Sequence, residues 1–229
     1  VILVLPAILL AMWASANVNS TFRRYSTQYS RRGITGAQAA RRVLDANGLQ
    51  QVRIERVSGH LTDHYDPRDN VIRLSDNVFG NTSTAAIGVA CHEAGHAVQH
   101  AVKYVPIQIR SAIIPITNIG SRLSMPLILV GLLFSMYSPQ MYYLVYAGIA
   151  CFGLAAIFQL VTLPTEFNAS RRALAAIESG HLLYDEEIQG ARKTLRAAAL
   201  TYVAALAVSL TQLLRLLLLF GGNGRRRND

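Results

Sequence analysis

The chain has 229 residues, 52% apolar and 15% charged, with positive mean hydropathy and a formal net charge of +9. That length suits one domain, and the apolar share excludes an ordinary soluble enzyme in favour of membrane segments beside a polar portion. The basic excess follows no aromatic-interleaved groove and no nucleic-acid motif, so it reads as membrane orientation and nucleic acid is not an expected partner.

In chain order, residues 1–16 are the first of four apolar segments. At 1.5 Å per residue they cover about 24 Å of a ~30 Å hydrocarbon core. Ala14-Ser15-Ala16 resembles a signal-peptidase site, but Arg23-Arg24, Arg31-Arg32 and Arg41-Arg42 follow it. Those pairs hold the following chain in the cytoplasm and favour a retained anchor. Residues 36–47 read as a helix with Ala39, Ala40, Val43 and Leu44 inward, closed by Asn47-Gly48. Val52, Ile54 and Val57 nearly alternate with charges as a half-buried strand does. The turn residues Asp66-Pro67-Arg68-Asp69-Asn70 lead to Val71-Ile72-Arg73-Leu74, a further strand. Gly80-Asn81-Thr82-Ser83-Thr84 supplies N-cap candidates for a helix from Ala85 to about Val102.

Residues 113–137, interrupted by Pro115, Pro126 and Arg122, and residues 141–163 form a hairpin with only Ser138-Pro139-Gln140 between them. Its uncharged tip suits a loop facing outside. The fourth segment is residues 200–220, in which Arg215 can snorkel. The polar blocks, about 17–108 and 164–198, then share the cytoplasmic side, and Arg225-Arg226-Arg227 ends outside, against the charge bias. Cys91 and Cys151 make no disulfide framework.

His92-Glu93-Ala94-Gly95-His96 carries the chemistry. Histidines four apart on a helix stand one turn apart on one face, where both imidazoles can converge on one cation. Zinc takes such imidazoles, and a catalytic site usually adds one further protein ligand and water. Glu93, placed as in H-E-x-x-H sites, takes a proton from the attacking water. The plain alternative is two histidines on the solvated stripe of an amphipathic helix. Glu166 is the best candidate for the further ligand, because the hairpin returns the chain near its departure point. Its plain alternative is a carboxylate favoured by a helix N-terminus after Pro164.

Cys91 to His100, Leu61-Thr62-Asp63-His64-Tyr65-Asp66-Pro67, and Leu163-Pro164-Thr165-Glu166-Phe167-Asn168-Ala169-Ser170 together resemble the YugP-type family of bacterial membrane zinc metallopeptidases. The resemblance runs through nearly the whole chain. The layout is also similar to that of the HtpX membrane proteases and CAAX prenyl proteases, where a membrane hairpin separates H-E-x-x-H from a ligand glutamate. It implies one zinc held by His92, His96 and Glu166, with Glu93 as base. Asn168 stands where that pattern leads one to expect Asp.

His100 continues the histidine face one turn further along, as a structural histidine or substrate contact. His64 and Tyr65 either stabilise an oxyanion or pack the turn. The expectation is a mainly helical membrane protein with a zincin-like catalytic helix, a small sheet and about four transmembrane helices. Residues 1–229 form a single peptidase domain in the inner (plasma) membrane, with its active site on the cytoplasmic side. It would hydrolyse protein or peptide substrates. Two alternatives are an intramembrane-cleaving protease and a scaffold with a structural zinc. Asn77–Thr84, Gln99 and His100 flank the motif with polar residues, against the first. Glu93 has no use in the second.

Overall fold

In the computed structural model, which describes residues 3–221, capping chemistry sets several of the helix boundaries. α1 (Leu5–Tyr25) continues the first apolar stretch into Asn17, Asn19, Ser20, Arg23 and Arg24. α2 (Gly36–Ala46) starts at a reciprocal cap, in which Thr35 Oγ1 accepts from Gln38 N while Gln38 Oε1 accepts from Thr35 N. The predicted Ala39, Ala40, Val43 and Leu44 are its buried face. β1 (Arg53–Val57) pairs in parallel with β3 (Val71–Ser75), and β2 (His64–Asp66) pairs antiparallel on the other side of β3. The strand order is therefore β1-β3-β2. The central strand β3 is the apolar one, because it is covered on both faces.

After the short α3 (Asp76–Phe79), Ser83 caps α4 (Thr84–Ala101) by accepting from Ala86 N. Fourteen of the 18 residues of α4 are buried, polar ones included. A helix hydrophobic all round belongs in a core. α4 is built from Ala and Gly so that its neighbours can approach closely. A methyl added at Gly88 would lie 3.2 Å from Ala191, and one at Gly95 would lie 2.8 Å from the Ala169 carbonyl oxygen.

α5 (Val105–Phe134) leads through a 3₁₀ turn at Pro139–Met141 to α6 (Tyr142–Ser179), and α7 (Asp185–Phe220) closes the described chain. Pro115 and Pro126 do not interrupt α5, and Pro164 lies inside α6 instead of starting a new helix. Each proline removes one backbone hydrogen bond, a loss that long apolar helices absorb. Among the described residues, three helical stretches are long and apolar enough to cross a membrane: Val105–Phe134, Pro139–Ser179 and Asp185–Phe220. α1 is not among them, since its second half is polar. The expected count of four is in that sense approximate. Arg225–Arg227 lie outside the described residues.

The chain divides into two compact units. One takes the residues up to Trp13, Ile109–Leu163 and those from Tyr202 on. Within it Ile128, Val145, Ile149 and Leu216 form a small core, while Ile119, Leu129, Leu133 and Leu218 stay exposed, as lipid-facing residues do. The other takes Ala14–Gln108 and Pro164–Thr201. Its core joins Leu44 of α2, Ile72 and Leu74 of β3, Ile87 of α4 and Ile177 of α6, all fully buried. Every residue of the H-E-x-x-H motif and Glu166 belong to this second unit.

Candidate metal centre

α4 presents His92 and His96 one turn apart, their rings edge to face with centroids 4.7 Å apart. α6 brings Glu166 to both. Its Oε2 lies 3.2 Å from His92 Nε2 and 3.5 Å from His96 Nε2. One ligand atom from each of the three residues falls within 4.8 Å of the others. Glu166 is 2% exposed and His96 8%. The solvated-stripe alternative for the two histidines therefore fails. The helix N-terminus alternative for Glu166 fails too, because α6 has run from Tyr142 without a break.

A carboxylate buried this deeply requires a positive partner. His96 records that demand. Burial pushes its pKa down, but the hydrogen bond and charge of Glu166, the charge of Glu93 and the contact with Gln99 outweigh this and raise it above the ordinary value. A metal cation competes with the proton for the same lone pair. Two imidazole nitrogens and one carboxylate oxygen, converging from two helices, make a donor set that fits zinc. Glu93, 8% exposed, stands one residue after the first histidine and acts electrostatically on the second.

The remaining sequence candidates make other contacts. Burial pushes the Cys91 thiol up to about 12, which leaves it an inert core residue. Tyr65 donates its hydroxyl proton to Asn70 at 3.0 Å and sets its ring 5.5 Å from that of His100, as a residue packing the turn does. His64 Nδ1 bonds the Thr62 carbonyl at 2.8 Å, and the ring is exposed. Asp63 accepts from Ser75 N and Oγ; burial raises its pKa against the pull of those bonds. These contacts pin β2 to β3, and β2 lies against α4.

Two polar residues next to the cluster stand out only in three dimensions. Ser170 Oγ is 3.2 Å from His92 Nδ1. Gln99 is fully buried and joins His96 to Thr165 and Asn168. The signals for them were thin: Ser170 follows Glu166 by one turn, and Gln99 follows His96 by three residues in a helix otherwise made of small and apolar side chains.

Residues 1–221 match a family model described as "Putative neutral zinc metallopeptidase". The chain is 46% identical over 228 residues to "Putative membrane protease YugP" of Bacillus subtilis strain 168, covering 100% of this chain and 99% of that protein. No solved structure matches it. Two histidines and a glutamate gathered in one core, on a chain that aligns from end to end, place it within one family: the chain belongs to the zinc metallopeptidases of that description.

Proposed function

We propose that the chain is a membrane-bound zinc endopeptidase that hydrolyses peptide bonds of membrane or membrane-proximal proteins. His92, His96 and Glu166 hold one zinc, and Glu93 is the general base. The observation that carries this reading is the convergence of a buried Glu166 with both histidines, beside a second carboxylate that the cluster does not use as a ligand. When bound, zinc supplies Lewis-acid chemistry, making water more acidic and a peptide carbonyl more electrophilic. Glu93 accepts the proton of the attacking water and passes it to the departing amine. β2 is an edge strand against α4, so an extended peptide can add to it by main-chain hydrogen bonds. The whole chain acts as one peptidase domain in this reading.

The full-length protein, purified in detergent, is expected to cleave an unfolded test protein. A strong chelator abolishes the cleavage, and one equivalent of zinc restores it. Chelation without effect on a demonstrated cleavage contradicts the reading, as does a zinc-loaded preparation that cleaves no substrate offered.

The proposed location is the plasma membrane, multi-pass, with residues 17–108 and 164–198 in the cytoplasm and the hairpin tip outside. The arginine pairs in the last turn of α1 and beyond it support it. Cysteine labelling with an impermeant reagent in intact cells checks it. Gln140 and Ser58 are both exposed. Gln140→Cys is expected to label and Ser58→Cys to be protected, in a Cys151→Ala background because Cys151 is only part-buried. The opposite pattern inverts the topology.

A further inference from the structure

The direction of every hydrogen bond around Gln99 can be fixed, starting from a group whose protons are never in doubt. Arg172 is a donor only. Its Nε lies 2.8 Å from Asn168 Oδ1, so that atom is the acceptor end of the Asn168 amide. The same Oδ1 sits 3.0 Å from the Gln99 amide nitrogen, which also donates to the Thr165 carbonyl at 2.8 Å. Both protons of Nε2 are thereby used, and the Gln99 amide cannot be reversed without setting oxygen against two acceptors. Its Oε1 must therefore face His96 Nδ1, at 3.0 Å. An amide oxygen accepts only, so the His96 proton resides on Nδ1. In the neutral ring, the form that ligates a metal, the lone pair then resides on Nε2, the nitrogen turned toward Glu166.

His92 is held differently. Its Nδ1 meets the Ser170 hydroxyl at 3.2 Å, and a hydroxyl can donate or accept, so it imposes no tautomer. The two ligands are alike in sequence and unlike in support.

We infer that Gln99, oriented by Asn168 and Arg172, is a positioning residue that fixes the tautomer and ring orientation of His96 and so sets the affinity of the metal centre. The inference rests on the zinc reading above. Partners of this kind on the far nitrogen of a ligating histidine typically govern metal affinity by about 10–100-fold. The motif at the start of the cytoplasmic part of α6 gains a second task here. Glu166 supplies a ligand, while Thr165 and Asn168 hold the residue that prepares another. Asn168 needs only an acceptor oxygen for this, and Asp would supply the same one.

Metal-stripped full-length protein in detergent is titrated with zinc against a chromophoric chelator, and with cobalt to read its visible absorption. Gln99→Met keeps the length of the side chain and loses its hydrogen bonds. It is expected to bind zinc about 10–100-fold more weakly, with a changed cobalt spectrum and unchanged helix content. Asn168→Asp is expected to stay close to wild type, and Asn168→Leu to fall between the two. Wild-type affinity and spectrum in Gln99→Met overturn the inference. Where that variant does not fold, equal zinc affinities for Asn168→Leu and Asn168→Asp overturn it instead. A wild type that binds no zinc, with His92→Ala indistinguishable from it, overturns the metal reading itself. A wild type that binds zinc no better than its Gln99 and Asn168 variants removes only the role of Gln99.

Discussion

Glu93→Gln is expected to retain about one zinc per chain and to lose turnover by roughly 10²–10⁴-fold, the usual contribution of a general base. The amide has the size of the carboxylate, so the packing around a residue only 8% exposed survives. What disappears is the ability to take a proton from water and return it to the amine. The two readouts must be taken on one preparation. Zinc content near wild type with collapsed turnover assigns Glu93 to proton transfer. Loss of both places it in metal binding or folding, and wild-type turnover removes it from the mechanism.

The second large effect belongs to Glu166. In Glu166→Gln a neutral amide oxygen replaces an anion between two histidines, and zinc affinity is expected to fall by more than the roughly 10–100-fold seen when a supporting partner is lost. Glu166→Asp keeps the charge and withdraws it by about 1 Å, a displacement that costs about 10²-fold in rate at a catalytic constellation. It is therefore expected to retain metal better than it retains turnover. The controls matter. Glu178 and Glu186 pair with Arg192 and Arg31 at the surface, where such pairs contribute about 0–1 kcal/mol. Their Gln variants are expected to match wild type. Glu187 is not a neutral control despite lying in the same polar block. It is 4% exposed and accepts from the main chain at Arg31 and Tyr184. If Glu166→Gln matches the surface controls in zinc content and turnover, the third ligand is another residue.

The half of the site on α4 was legible because its geometry is local. A four-residue spacing on a helix puts two histidines on one face whatever else the chain does. Glu166 was legible only through topology, since a hairpin of two apolar stretches had to return it. Gln99 and Ser170 were not legible, because a buried amide and a hydroxyl acquire meaning from partners 66 to 78 positions away. The fold divides the same way. Capped α2 and α4 and the apolar β3 follow from neighbouring residues. β2 did not, because three residues reading His-Tyr-Asp carry no strand pattern and take their conformation from β3. Pro164 misled as a boundary. The local rule against proline within a helix yields where the helix is long and apolar on its approach.

The meeting of Gly95 with the Ala169 carbonyl has a mechanical meaning. Most helix pairs are separated by a layer of side chains, which can change rotamer and absorb a small displacement. Here two main chains meet directly, with less than a methyl group of clearance. That contact lies one residue before His96 and one before Ser170, three after Glu166. A shift of either helix therefore meets no layer of side chains at this contact that could absorb it before it reaches the backbone that carries the proposed ligands. The spacing of α4 and α6 beside the proposed metal donors is thus a property of two backbones, and it is as stiff as they are.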